Sequence, residues 1–348
     1  MRINDCLSRK MANMALCCAC LIVTLHVGYE GGGISSWVFA GRGIGNIAVP
    51  YFFIASGFFL AGHMYGEWRN WWIHENIKRV FSLVIPYLFW NVFYWAFMKG
   101  LSIFAIKFGV VFGENCSCGL SLGLNPFKLP QLPYLWFVRC LIVFVVVLPV
   151  FLVLKRKLAG AVGILCLFVL VLVVPAWLPK AADWHEDFAK IAWLRGLLWF
   201  SLGVFLRWNP VRISVLNRCD GWIGGLIALG FAIIPWAILA MIPDLPLILY
   251  ELIKNVIIAI SLFAGWTVMP DVQLSKKITN CSFPIFLLHY AVLTMLVGVY
   301  RLCGIKEFAK GSQMMYFVTV SLTIGISLLL TFRIKKVGWL TKIAFGGR

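Results

Sequence analysis

The feature that most constrains this chain is a series of long apolar runs. Ten of them, at about 11–29, 44–64, 80–98, 132–154, 159–177, 191–207, 222–241, 247–269, 281–301 and 314–332, approach the roughly 20 residues a helix needs to cross a bilayer. Lipid offers no partner for backbone N–H and C=O groups, so only helices and closed barrels span it. The runs lack the alternation of barrel strands. The expectation is an all-α polytopic membrane protein of about ten transmembrane helices, with residues 1–348 forming a single integral membrane domain. Composition agrees: 13% of the residues are charged, against about 25% in a soluble domain. A soluble enzyme, a disordered chain and a nucleic-acid binder are excluded. The net charge of +18 does not point to nucleic acid, because the basic residues form short clusters between the apolar runs.

Those clusters orient the chain. With the N-terminus inside, the inner segments hold Arg2, Arg9 and Lys10; Arg69, Lys78 and Arg79; Lys155, Arg156 and Lys157; Arg207, Arg212 and Arg218; Lys276 and Lys277; and the Arg333–Arg348 end. That is 19 inner Lys and Arg against 8 outer, so both termini are expected in the cytoplasm, which an even number of spans requires. The first run lacks a clear small-x-small cleavage site and nine more follow it, so it reads as a retained helix. No appended soluble domain and no internal repeat is found, and the lack of a repeat weighs against inverted-repeat transporter folds. The longest outer segment is 99–131, where Leu101–Phe112 suits an interfacial or re-entrant helix and Glu114 to Leu124 reads as loop. Of eleven cysteines, Cys17, Cys18, Cys20 and Cys166 read as small apolar packing groups, while Cys116 and Cys118 face outward and can oxidise. No cysteine pair has zinc spacing with His partners, and no metal is expected.

Ionisable groups inside a membrane are costly and so are functional candidates. His26 lies about 15 residues into the first run, roughly 22 Å from its inner end. Glu30 follows at i+4 on the same face. A carboxylate at that spacing can hold an imidazole in one tautomer and raise its basicity, and acyl transfer to a hydroxyl needs such a base. The plain alternative is a polar helix end near the headgroups. His289 lies in the ninth run, either a second functional group or a bundle histidine bonded to a neighbouring helix. Arg139, in the fourth run, must pair or line a wet cavity, and it can hold a carbonyl, a phosphate or a sugar hydroxyl. Glu251 and Lys254, at i and i+3, read equally as a mutual ion pair or as part of a site. Arg69, His74, Lys78 and Arg79 can bind phosphates or simply express the inner positive bias. Trp68, Trp71 and Trp72 fit an interface belt.

Several segments together resemble the acyltransferase-3 family of integral membrane O-acyltransferases. The first run ends in Leu21-Ile-Val-Thr-Leu-His26-Val, and the second contains Val49-Pro-Tyr-Phe-Phe-Ile-Ala-Ser56-Gly57-Phe-Phe-Leu60. Lys78-Arg79 precedes Ile85-Pro86-Tyr87-Leu-Phe-Trp90. Leu135-Trp136-Phe137-Val138-Arg139, then Trp193-Leu-Arg195 through Phe200-Ser-Leu-Gly203, and Ser282-Phe283-Pro284-Ile285-Phe286-Leu287-Leu288-His289 follow in the family's order. Two positions depart from the pattern: Asn13-Met14-Ala15 stand where members carry an arginine before the histidine, and Ser82 stands where many carry a second arginine after Arg79. Arg9, Lys10 or Lys78 are candidates to substitute.

The resemblance implies a multi-pass protein of the inner (cytoplasmic) membrane that moves an acyl group, acetyl first, from cytoplasmic acyl-CoA to a carbohydrate, glycolipid or related acceptor at the outer face. Acetyl-CoA would be a co-substrate, with no bound cofactor. His26, Glu30 and His289 become the catalytic candidates, Arg139 and Ser56 the oxyanion or substrate contacts, and Lys78, Arg79, Arg69 and Lys10 the donor-binding set. Two other readings stay open at this stage: an exporter of a lipid-linked sugar or small molecule, with Glu251 and Lys254 as a coupling pair, and a noncatalytic membrane sensor indifferent to His26 and His289.

Overall fold

The computed structural model describes residues 5–27, 44–63, 67–108, 135–177, 184–209, 270–305 and 312–347, with isolated positions between 221 and 263. Among these residues every regular element is helical. The helices are α1 (Asp5–Val27), α2 (Ala48–Ala61), α3 (Trp68–Arg79), α4 (Ile85–Phe108), α5 (Trp136–Val146), α6 (Lys157–Trp177), α7 (Trp184–Trp208), the short α8 (Lys276–Thr279), α9 (Ser282–Leu302), α10 (Gln313–Lys335) and α11 (Gly338–Phe345).

Four helical stretches are long and apolar enough to cross a membrane: Asp5–Val27, Trp68–Phe104, Ser282–Leu302 and Gln313–Lys335. The expected span near 44–64 appears as the shorter apolar helix α2, that near 159–177 coincides with α6, whose stretch Lys157–Val173 is apolar, and 191–207 falls within α7. Those at 222–241 and 247–269 lie outside the described residues except at isolated positions. Residues 101–108 continue α4, and 109–131 lie outside the described residues.

Two local breaks have identifiable causes. The run at 132–154, read from the sequence as one span, consists of α5 and a 3₁₀ stretch, Leu148–Lys155, bent from it by 71°. Pro149 lies just past the corner, and proline has no N–H to give the helix and crowds the carbonyl four residues back. The second break is the π-helical turn Val80–Val84 that joins α3 to α4. Pro86 follows, so the Ser82 carbonyl has no N–H four residues on, and the wider turn lets Ile85 N–H reach back to Val80 O instead.

The described chain divides into two compact units. The first holds the start of α1, Ile47–Lys78 and Arg139–Thr279. At its centre α2 and α7 cross at reciprocal glycines. A Cβ on Gly57 would strike the Phe200 carbonyl, and one on Gly203 the Ile54 carbonyl. Small residues permit such close approach between helices in lipid. Phe53, Phe144, Phe151, Trp199 and Phe200 pack around the crossing. The same unit ties α1 to the segment before α8: Arg9 pairs with Asp271, and Asn13 Nδ2 donates to Val272 O at 2.7 Å.

The second unit holds the end of α1, Arg79–Val138 and Asn280–Arg348. Helices α9 and α10 pack together, and α11 docks on α4, where Trp90 Nε1 donates to Ala344 O at 2.8 Å and stacks on Phe345. Gly346 has φ of 67°, in the left-handed region open to glycine, and a Cβ there would come within 2.6 Å of the Ser82 Cα. Thr319, Thr323, Ser327 and Thr331 form a fully buried face at i+4 spacing on α10.

Candidate functional site

The second unit brings two of the sequence candidates together. His26, in the last turn of α1, and His289, the eighth residue of α9, have ring centroids 5.1 Å apart. His289 is fully buried. Its Nδ1 lies 3.2 Å from the Ile285 carbonyl, one turn back on the same helix. A carbonyl only accepts, so Nδ1 carries the proton of the neutral ring and Nε2 keeps a lone pair.

Both helices are clamped beside their histidines. Tyr316 on α10 donates to Thr24 O at 3.1 Å, two residues before His26. The turn at Ile44–Ile47 lies against the same part of α1, where a Cβ on Gly45 would come within 2.6 Å of Leu21 O and of the Leu25 side chain. Tyr94 reaches from α4 into the backbone of α9. Its hydroxyl donates to Leu287 O at 2.7 Å and accepts from Ala291 N–H at 3.2 Å. Those two backbone groups flank His289, so the clamp fixes the turn that carries the imidazole.

Aromatic rings complete the surroundings. Tyr290 stands edge-on to His26, with centroids 6.0 Å apart and planes at 86°. Phe286 lies 6.1 Å from His289, backed by Phe283 in a stack and by Phe137 edge-on. The sequence reading passed over Tyr94 and Tyr290. Tyr290 follows a singled-out histidine directly, a signal that was available. Tyr94 sits in a run rich in Phe and Trp and carries no local mark.

The other candidates are distributed. Glu30, Glu251, Lys254, Cys116 and Cys118 lie outside the described residues. Ser56 is half-buried on α2 beside the Gly57 crossing, in the first unit. Arg139, also in that unit, places its guanidinium over the Trp193 ring at 5.2 Å, a cation–π contact. Lys10 is buried on α1, and Arg69 and His74 are exposed on α3. Lys78 is half-exposed, with Nζ 3.9 Å from Glu75 Oε1, and His63 Nδ1 lies 3.8 Å from the same oxygen. Glu75, whose side chain is only 3% exposed, was not read from the sequence as part of a site. Arg79 ends α3 at the start of the π turn, in the second unit. Arg9 is committed to Asp271. Hydrogen bonding from the Arg9 guanidinium holds the Asp271 carboxyl below the usual carboxylate range.

Two imidazoles meeting inside an apolar helical bundle, one with a defined lone pair, can exchange protons with a bound hydroxyl and assist its attack on an acyl carbon. No curated protein and no solved structure matches the chain significantly. A family model does, over residues 16–332, and its description is acyltransferase domain. The match covers most of the chain, from the middle of α1 through α9 and nearly all of α10, with both histidines inside it. This multi-pass membrane protein therefore belongs to the Acyl_transf_3 family and is an acyltransferase.

Proposed function

We propose that this acyltransferase moves an acetyl group from cytoplasmic acetyl-CoA to a hydroxyl of a cell-envelope carbohydrate or related acceptor at the outer face of the inner membrane, with His26 and His289 as the catalytic pair. The observation that carries the reading is the 5.1 Å approach of the two rings within one unit. Ten spans, counted from the apolar runs, and both termini in the cytoplasm, read from the Lys and Arg bias, belong to the same proposal.

The chemistry has a physical logic. The nucleotide end of CoA is anionic and stays at the inner surface, where Lys78, Arg79, Arg69 and Lys10 offer positive charge. The slender pantetheine arm carries the thioester to the histidines. One imidazole takes the proton of the acceptor hydroxyl as its oxygen attacks the acyl carbon. The C–S bond then breaks, and the proton passes to the departing thiolate. Glu30, four residues after His26 in the sequence, would raise that ring's basicity.

The test is transfer from radiolabelled acetyl-CoA by purified protein. His26→Ala and His289→Ala are each expected to lower the rate by about 10²- to 10⁴-fold, the usual contribution of a general base. Undiminished transfer by both variants rejects the pair.

A further inference from the structure

The 3₁₀ stretch Leu148–Lys155 is buried in a pattern that follows its own geometry. A 3₁₀ helix has three residues per turn, so positions three apart share a face. Leu148, Phe151 and Leu154 are buried, whereas Val147, just before the stretch, Val150 and Val153 are exposed, Val150 at 71%. The buried face is held firmly. Phe151 packs on Phe200 of α7 with ring centroids 5.1 Å apart, and Asn209 Nδ2, just past α7, donates to Leu154 O at 2.9 Å. A Cβ on Gly160 would come within 2.8 Å of that same carbonyl, so α6 starts hard against the stretch. At the corner, Trp72 Nε1 donates to Val146 O at 2.9 Å.

The outward valine face runs directly into charge. Lys155, Arg156 and Lys157 are consecutive and exposed. None of the three has an acidic partner among the described residues. Three adjacent cations do not enter hydrocarbon, so this end belongs at the level of the headgroups. Membrane-crossing helices tilt by about 20° from the bilayer normal. A 71° corner after α5 therefore turns the chain close to the membrane plane. Trp68 and Trp72, with rings 6.4 Å apart, supply indoles of the kind that favour that level.

We propose that this corner binds an anionic phospholipid of the inner leaflet. Lys155, Arg156 and Lys157 take the charge of its headgroup, and Val147, Val150 and Val153 lie against its acyl chains. Charge complementarity names the occupant. A zwitterionic lipid brings an ammonium that the cluster repels, and the phosphates of CoA bring no chains for the valine face. The leaflet follows from the Lys and Arg bias.

The experiment is native mass spectrometry of the delipidated full-length protein, titrated with phosphatidylglycerol and phosphatidylcholine of identical chains. The wild type is expected to prefer phosphatidylglycerol. Lys155→Gln, Arg156→Gln and Lys157→Gln together are expected to lower that preference by about 10²-fold, roughly fivefold for each cation removed. A control that removes three exposed cations elsewhere, Lys276→Gln, Lys336→Gln and Lys342→Gln, is expected to keep it. Excess CoA is expected to leave the bound lipid in place. Wild-type preference in the first variant, or equal loss in the control, overturns the proposal. So does displacement of the lipid by CoA, which would give the three cations to the donor instead. Should the first variant not fold, a wild type that binds the two lipids equally, or yields phosphatidylglycerol to CoA, overturns the proposal by itself.

Discussion

Tyr94 bears on the chemistry without being one of the reacting groups. Its hydroxyl sits within the backbone ladder of α9, satisfying Leu287 O and Ala291 N–H on either side of His289. The residue is 1% exposed, so water cannot replace that hydroxyl. Tyr94→Phe leaves the ring but strips a buried carbonyl and a buried N–H of a partner, a change that costs about 1–3 kcal/mol. The expected outcome is a melting temperature several degrees lower in detergent and a reduced kcat, because the turn bearing His289 is no longer clamped. Thermal unfolding and acetyl transfer on the same preparation check both. The contrast with the histidines shows what a sequence carries at this scale. An ionisable ring within an apolar run is conspicuous because lipid penalises it, so His26 and His289 were legible. Tyr94 lies among Phe89, Trp90, Phe93, Trp95 and Phe97, where aromatic residues are ordinary membrane-interface material and a single hydroxyl gives no sign of its target.

Elements were legible as lengths and less so as shapes. Hydropathy located α1, α9 and α10 because burial in lipid requires a long apolar helix and nothing else. Hydropathy averages over a bend, however, and the run at 132–154 stays apolar through the 71° corner near Pro149. The reason for Gly57 and Gly203 was equally hidden. Both fall in motif-bearing stretches, but only the crossing of α2 and α7 explains them, since each glycine faces a carbonyl of the other helix. This gives a paired prediction. Gly203→Ala forces its methyl onto the Ile54 backbone, which cannot yield as a flexible side chain would, and is expected to prevent a monodisperse folded preparation or to lower its melting point sharply. Gly325→Ala, on α10 with nothing within 4 Å of the added carbon, is expected to be neutral or slightly stabilising, since alanine is the better helix former by about 1 kcal/mol. Size-exclusion chromatography and melting of the two variants side by side test the crossing, and equal behaviour would contradict it.

At the scale of the whole molecule, the first helix is fixed by a segment far along the chain. Arg9 and Asp271, 262 residues apart, form an ion pair, and Asn13 on the same face of α1 bonds Val272 O. No local pattern announces such a contact, because the pairing depends on how the helices assemble rather than on either neighbourhood. The sequence offered Arg9 as a stand-in for a donor-binding arginine, whereas the structure commits it to Asp271. The consequence is a stability that depends on pH with a definite sign. The Arg9 hydrogen bond lowers the folded-state pKa of Asp271, so the unfolded chain takes up a proton at higher pH than the folded one. The pair's contribution is therefore complete above the unfolded carboxyl value of about 4 and fades as the pH falls through the lower folded value. Its size is limited because the two side chains are 37% and 22% exposed, and added salt should weaken it further. The melting difference between wild type and Asp271→Asn is expected to stay constant from about pH 8 to pH 5 and to shrink below about pH 4. It should also narrow at high ionic strength at neutral pH. A difference that grew on acidification would mean that the Asp271 carboxyl, once protonated, holds α1 better than its charge does, and the ion pair would lose its place as the tie between the two segments.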